Sequence, residues 1–303
     1  MKTSIRETGL KKLIASWGNR TARSLGALVI ILALSGPALA NSIDLGQAGP
    51  SHWAFLGLGD GDVTMTTATV NGLVNEVGIV GPSSGTISFT TTLSAVPGTI
   101  YEGTGVTNLN ILSIRGPLVQ PADTLLNAAK TDALTKASSY GSLPPTDIFL
   151  TDIDLSDSDT QTVMGGMGQN VYNLTNFRLQ DNPTLTITGP PGATFIFNIS
   201  GAFDLAGGTV IFGPTVSPED VLFNVTGSTD VSVDLDCLGL LLAPYANVTI
   251  SESIWTGEVI AGKNFALTVA SISNPVPLPG SVLLLGTGLL GLGLLGRRRQ
   301  RHG

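Results

Sequence analysis

The chain has one cysteine and two histidines in 303 residues, and aromatic residues make up only 6% of it. A single cysteine, Cys237, excludes an internal disulfide, so stability has to come from packing and backbone hydrogen bonds. Its setting, Leu235-Asp236-Cys237-Leu238, has no cation to favour a thiolate and reads as a small buried hydrophobe rather than a nucleophile. His52 and His302 are far apart, and without a His/Cys cluster the usual zinc sites are excluded. Cationic residues are scarce except at the ends. Of 15 Lys+Arg, six lie in residues 1–40 and four in residues 297–301, leaving five; of 22 Asp+Glu only Glu7 lies in those ends, leaving 21 and a net charge of −16 for the body. Such a surface repels nucleic acid and anionic lipid, so no nucleic-acid partner is expected.

Both ends read as export signals. Lys2, Arg6, Lys11, Lys12, Arg20 and Arg23 precede an apolar run from Leu25 to Leu34, which is broken by Gly36-Pro37 and closed by Ala38-Leu39-Ala40. Residues 1–40 therefore have the pattern of a signal peptide, with signal peptidase cutting before Asn41. At the other end, Val276, Pro277, Leu278 and Pro279 precede an uncharged Gly/Leu run, Gly280 to Gly296, and then Arg297, Arg298, Arg299, Gln300 and Arg301. The run is at the lower limit of about 17 residues for crossing a bilayer, and the arginines act as a cytoplasmic stop that orients everything before them outward. Pro277 and Pro279 hold the backbone extended, presenting it to a processing enzyme. This tail, 276–303, resembles the PEP-CTERM sorting signal of Gram-negative bacteria, with Leu278 where that family has an acidic residue. The resemblance implies an exosortase as partner, transient anchoring in the inner membrane, and delivery to the cell surface or extracellular matrix.

The body, 41–275, is long enough for one large domain. Short β-type runs recur between Gly, Pro and Asn/Asp turns, among them Thr184–Thr188, Thr194–Asn198, Val221–Asn224, Val231–Val233, Leu238–Leu242, Asn247–Ile250 and Glu258–Ala261. Strands spaced this closely suit a sandwich, a barrel or a solenoid. A weak repeat favours the solenoid. Phe197-Asn198-Ile199-Ser200-Gly201 returns as Phe223-Asn224-Val225-Thr226-Gly227, and Asn247-Val248-Thr249 follows Asn224 at a slightly shorter step. Steps of this size approximate one coil of a parallel β-helix, with like residues stacked in ladders and asparagine amides paired along the axis.

One segment departs from the β pattern. Pro121 opens it, Ala122, Leu126, Ala129, Ala133, Ala137 and Tyr140 recur at three- and four-residue intervals, and Gly141 and Pro144-Pro145 close it. The spacing predicts a helix over 121–140. Its alanine-rich stripe calls for close approach to a flat partner such as one side of the solenoid.

Five short motifs in order resemble the bacterial ice-binding and adhesive β-helix proteins, including the choice-of-anchor A group. They are Trp53-Ala54-Phe55-Leu56-Gly57, Ala128-Ala129-Lys130-Thr131-Asp132-Ala133, Phe195-Ile196-Phe197-Asn198-Ile199, Leu242-Ala243-Pro244-Tyr245-Ala246-Asn247-Val248 and Thr256-Gly257-Glu258-Val259-Ile260-Ala261. The resemblance implies an all-β fold, a right-handed parallel β-helix, discontinuous along the chain, with one long α-helix packed alongside. It also implies an adhesive or matrix role, or ice binding. For ice, the candidate outward hydroxyls are Thr64, Thr66, Thr67 and Thr69, then Thr86, Ser88, Thr90 and Thr92, then Thr184, Thr186 and Thr188.

Catalytic patterns are sparse. Gly81-Pro82-Ser83-Ser84-Gly85 has the spacing of a nucleophile elbow, but a strand-like run follows it and His52 precedes it. Asp152, Asp154, Asp157 and Asp159, and the pair Asp60 and Asp62, offer oxygen ligands without an EF-hand spacing, and read as solvated carboxylates. Some β-helix enzymes cleave polysaccharides as lyases or hydrolases, for which Arg115, Arg178 and Lys263 are the basic candidates. The expectation is a non-enzyme with no catalytic, cofactor or metal residues, partnered by exopolysaccharide, another surface or ice.

Overall fold

The computed structural model describes residues 43–71, 76–81, 86–89, 95–96, 98–109, 114–115 and 117–273. The proposed signal peptide and the whole sorting tail lie outside the described residues, as do Ser83, Ser84, Thr90 and Thr92. Among the described residues, no helix is long and apolar enough to cross a membrane.

The strands pair in parallel throughout and stack into a three-sided coil. The first side is a nine-stranded sheet in the order Leu118–Val119, Ile100–Glu102, Glu76–Ile79, Trp53–Gly57, Val259–Ala261, Leu240–Ala243, Val221–Val225, Ala193–Ile199 and Gly168–Leu174. The first described strand, Trp53–Gly57, thus lies in the middle. The opening coils climb towards one end, and the coils after the helix start at the other end and return, until Phe55 pairs with Val259 and closes the stack. This is a parallel β-helix interrupted along the chain. The helix Asp123–Gly141 makes the crossing. Nineteen residues reach about 28 Å, against roughly 38 Å for nine strands spaced at about 4.8 Å, so helix and flanking segments together cover the length.

The second side runs Ile153–Leu155, Phe177–Leu179, Phe203–Leu205, Val231–Val233, Val248–Ser251, Phe265–Thr268, Val63–Thr66, Thr86–Phe89 and Thr107–Leu109. The third side is split into Thr160–Met164, Thr184–Thr188 and Thr209–Phe212, then Cys237–Leu238, Ile254–Thr256, Ser271–Ser273, Thr69–Asn71, Ala95–Val96 and Ile114–Arg115. The split follows a change in coil length. Phe177 pairs with Phe203 and Phe203 with Val231, whereas the next partners come much sooner along the chain, Val231 pairing with Val248 and Val248 with Phe265. In the short coils the expected run Leu238–Leu242 breaks at Gly239, which turns the chain from the third side to the first at φ +131°. A side chain there would meet the Phe223 ring at 2.9 Å.

Alternation fills the bore. Phe197 pairs with Phe223 and Asn198 with Asn224, as the sequence repeat predicts. The rings of Tyr172, Phe197 and Phe223 stack at centroid distances of 5.2 and 5.6 Å, and Phe177 stacks on Phe203 at 5.4 Å.

In its middle strands, Ala193–Ile199, Val221–Val225 and Leu240–Ala243, the first side is buried on both surfaces, which explains their unbroken apolar runs. Leu126, Ala129, Ala133 and Ala137 of the helix lie against Leu56, Ile196, Leu222, Leu242 and Ile260. These four are the buried residues of the predicted stripe; the helix itself is shifted, starting at Asp123 with Ala122 as its cap. Asp123 accepts hydrogen bonds from the Thr104 amide and hydroxyl, and these hold its carboxyl below the usual range. At the far end, Asn198 Nδ2 donates to the Tyr140 carbonyl at 2.8 Å and to Asn173 Oδ1 at 2.9 Å, and Asn224 Nδ2 donates to the Ala137 carbonyl at 3.0 Å and to Asn198 Oδ1 at 2.7 Å. The asparagine ladder therefore also ties the last turns of the helix to the sheet. Asn247 does not continue it, because the shortened coil puts Leu242 beside Asn224. Replacing Asn224 with leucine should destabilise the protein by about 1–3 kcal/mol, with faster hydrogen exchange in the last helical turn, because it removes the amide that ties the Ala137 carbonyl to the sheet and leaves Asn198 Oδ1 buried without that donor.

Candidate functional site: the exposed hydroxyl faces

With the first side covered, the second and third sides are the surfaces open to a partner. On the second side one residue per strand points outward and the register aligns them: Asp154, Arg178, Asp204, Ser232, Thr249, Ala266 and Thr64 form one column. A second column, Ser251, Thr268 and Thr66, stands beside its neutral half. Parallel pairing holds such columns at a rise of about 4.8 Å. The column has two chemistries. At one end the Arg178 guanidinium lies 3.9 Å from Asp154 and 4.0 Å from Asp204, a partly exposed pair of contacts that contributes little to stability. At the other, hydroxyls and methyls alternate with no charge.

The third side carries a compact threonine array. Thr160, Thr184 and Thr209 form one row across three coils, Thr162 and Thr186 a second row that ends in Ile211, and Met164 and Thr188 a third. The intervening Val163, Leu185, Ile187 and Val210 point into the bore. Met164 and Met167 at the array's edge are 76% and 81% exposed, which is unusual for such apolar side chains.

Among the expected hydroxyls, Thr184, Thr186 and Thr188 do face outward, as do Thr64 and Thr66, all partly exposed. Thr67 leaves the alternation because it turns the corner between the second and third sides at φ +52°. Thr86 and Ser88 lie on a described strand, but their side chains are outside the described residues.

Of the acidic candidates, Asp152 and Asp159 serve the backbone, while Asp60 pairs with Lys130 at 3.4 Å. Asp152 Oδ1 accepts from the Asn176 amide at 2.9 Å, Asp159 Oδ2 from Ser156, and Asp157 is a left-handed corner residue at φ +52°. Asp62 belongs to a second side-chain ladder, in which Asn247 Oδ1 accepts from the Asn264 amide and Asn264 Oδ1 from that of Asp62. Among the described residues, no group of three or more His, Cys, Asp or Glu could hold a metal ion. Cys237 is buried, and its thiol is pushed up to about 12 by that burial. Val276, Pro277, Leu278, Pro279 and Arg297, Arg298, Arg299 and Arg301 lie outside the described residues.

One group escaped sequence reasoning altogether. Glu258 opens one of the expected β-type runs, yet it is fully buried, neither carboxylate oxygen has a hydrogen-bond partner among the described residues, and burial raises its pKa well above the ordinary value. Its position beside Gly257, at φ +140°, is the only local signal that the chain turns inward there.

Solved structures share this architecture. A glycosylated ice-binding protein from an Arctic yeast is 23% identical at a TM-score of 0.52, over 78% of this chain and 96% of its own. An ice-binding protein from an Antarctic biological consortium is 18% identical at 0.54, over 78% and 92%, and an ice-binding protein domain from Shewanella frigidimarina 17% identical at 0.50, over 78% and 98%. At these identities the likeness is one of fold. No curated protein matches the chain in sequence. Residues 41–266 match the family described as an ice-binding-like adhesive domain. With three quarters of its length matched, the chain belongs to the ice-binding-like adhesive domain family.

Proposed function

We propose that this is an exported, non-enzymatic adhesive protein that attaches to exopolysaccharide or another surface through its open hydroxyl faces. The signal peptide at 1–40 and the tail at 276–303 route it through signal peptidase and an exosortase to the cell surface or matrix. The observation that carries the reading is the mixed character of both open faces. The second-side column passes from Asp154-Arg178-Asp204 into neutral Ser232-Thr249-Ala266-Thr64, and the threonine array gives way to Ile211, Met164 and Met167. A crystalline ligand calls for a uniform uncharged lattice; a hydrated polymer or a heterogeneous surface is met by hydroxyls, methyls and scattered charges together. Arg178, which a lyase would need as a base, is held between two carboxylates, and this supports the non-enzymatic reading.

Ice binding is the second reading, favoured by the paired neutral columns Ser232, Thr249, Ala266, Thr64 and Ser251, Thr268, Thr66. The adhesive reading is tested by retention of the protein on a surface coated with the host's own exopolysaccharide. The combined change Thr186→Glu and Thr249→Glu should reduce retention by about tenfold, whereas Ser228→Glu, on an exposed loop, should leave it unchanged. Equal retention for all three proteins would remove the hydroxyl faces from the function.

A further inference from the structure

Residues 43–49 form a strap beside the helix, across the outer face of the first side. Ile43, Leu45 and Ala48 are buried in the cluster that joins the helix to Leu222, Leu240 and Ile260 of the sheet. The Ile43 amide donates to the Glu219 carbonyl, just ahead of Val221–Val225, and the chain leads from there into Trp53–Gly57. The strap therefore crosses the two strands between them, Leu240–Ala243 and Val259–Ala261. The helix fastens it. Lys136 pairs with Asp44, the Tyr140 hydroxyl donates to the Asp44 carbonyl at 2.9 Å, and the Gln47 amide donates to Asp132 Oδ2 at 2.8 Å. Gly46 makes the close fit possible: it takes φ +61°, and a Cβ there would lie 2.5 Å from Asp132 Oδ2.

The cleavage site read from the sequence precedes Asn41, so only Asn41 and Ser42 separate the scissile bond from the buried Ile43. Two residues span at most about 7 Å. A protease needs an exposed, extended chain on both sides of the bond it cuts, and a seated strap leaves almost none on the side of the body. Seating before the cut would also draw a strongly acidic body onto the lipid surface that holds the leader, against its repulsion from anionic lipid. We propose that the strap closes only after the signal peptide is cut, so that removal of the leader completes the fold. The proposal rests on the signal-peptide reading above and adds to it a fold that is open in the precursor and closed in the mature protein.

The test is hydrogen exchange, read by mass spectrometry, of the full chain in vesicles of phosphatidylethanolamine and phosphatidylglycerol. One sample has the leader cut, and the other keeps it through Ala40→Trp, which spoils the small-residue cleavage site. Peptides covering residues 43–53 should exchange about tenfold faster in the uncut chain, while those covering Phe197 and Phe223 in the bore stay equally protected. Gly46→Val in the cut chain should give the same fast exchange over 43–53, because its side chain meets Asp132, and so supplies the signature of an unseated strap without the leader. Equal exchange over 43–53 in the cut and uncut chains would overturn the proposal. So would loss of protection at Phe197 and Phe223 in the uncut chain, since the leader would then be unfolding the whole body. An amino terminus other than Asn41 on the exported protein sinks the signal-peptide reading and the strap's coupling with it. Equal exchange with the terminus at Asn41 sinks the coupling alone.

Discussion

Phe223→Ala should destabilise the protein by about 3–5 kcal/mol, measured as the shift in its denaturant unfolding free energy. The ring is fully buried, stacks on Phe197 at 5.6 Å, and meets Phe177 and Phe203 edge-on at 5.2 and 5.3 Å and Trp255 at 6.1 Å. Its neighbours belong to coils above and below it, tied by parallel ladders, so they cannot collapse into the space without breaking register. Thr186→Ala, on the open third side, should change stability by no more than about 0.5 kcal/mol. A loss below about 1 kcal/mol at Phe223 would mean that the coils do not stack around this ring.

Glu258→Gln should stabilise the protein at neutral pH, by a margin that grows as pH rises. Burial raises the folded-state pKa of Glu258, so the unfolded chain releases this proton first. The stability of the protonated, buried form is complete below the unfolded pKa of about 4.3 and is lost as pH rises from there through the folded value, at up to about 1.4 kcal/mol per pH unit. Glutamine keeps the neutral shape and does not titrate. Glu219 and Asp220, also shifted up by burial, are common to both proteins and cancel in the difference. The free-energy difference between variant and wild type should therefore climb as pH rises from about 4. Parallel profiles would show that Glu258 reaches solvent.

What the sequence disclosed and what it concealed follow from coil length. In the long coils Phe197 and Phe223 meet the same neighbours, and so do Asn198 and Asn224, so the environment selects the same residues and the repeat shows. Where the coil shortens, between Val231 and Val248, the period is lost, and Asn247 stands at a corner rather than in the amide ladder. The helix was legible because close approach to a flat sheet demands alanine at every buried turn. The closing of the stack by Trp53–Gly57 against Val259–Ala261 joins strands from the two ends of the domain, and neither strand carries a local mark of it; only a discontinuous β-helix was expected, and that from the family resemblance alone. The two open faces were half legible. Alternation identified Thr184, Thr186 and Thr188, but it could not foresee the left-handed corner at Thr67 or that Arg178 would stand between Asp154 and Asp204, which depends on register. Glu258 was hidden because nothing in the sequence separates a buried acidic residue at the head of a β-type run from the many solvated ones of an acidic chain.

The central claim is that the mixed hydroxyl faces serve adhesion to a polymer or surface rather than to ice. Thermal hysteresis of the purified protein tests it most directly. The account predicts no gap between melting and freezing beyond that of an inert protein at the same concentration. A clear gap that disappears in Thr249→Glu would contradict it and assign the second face to ice.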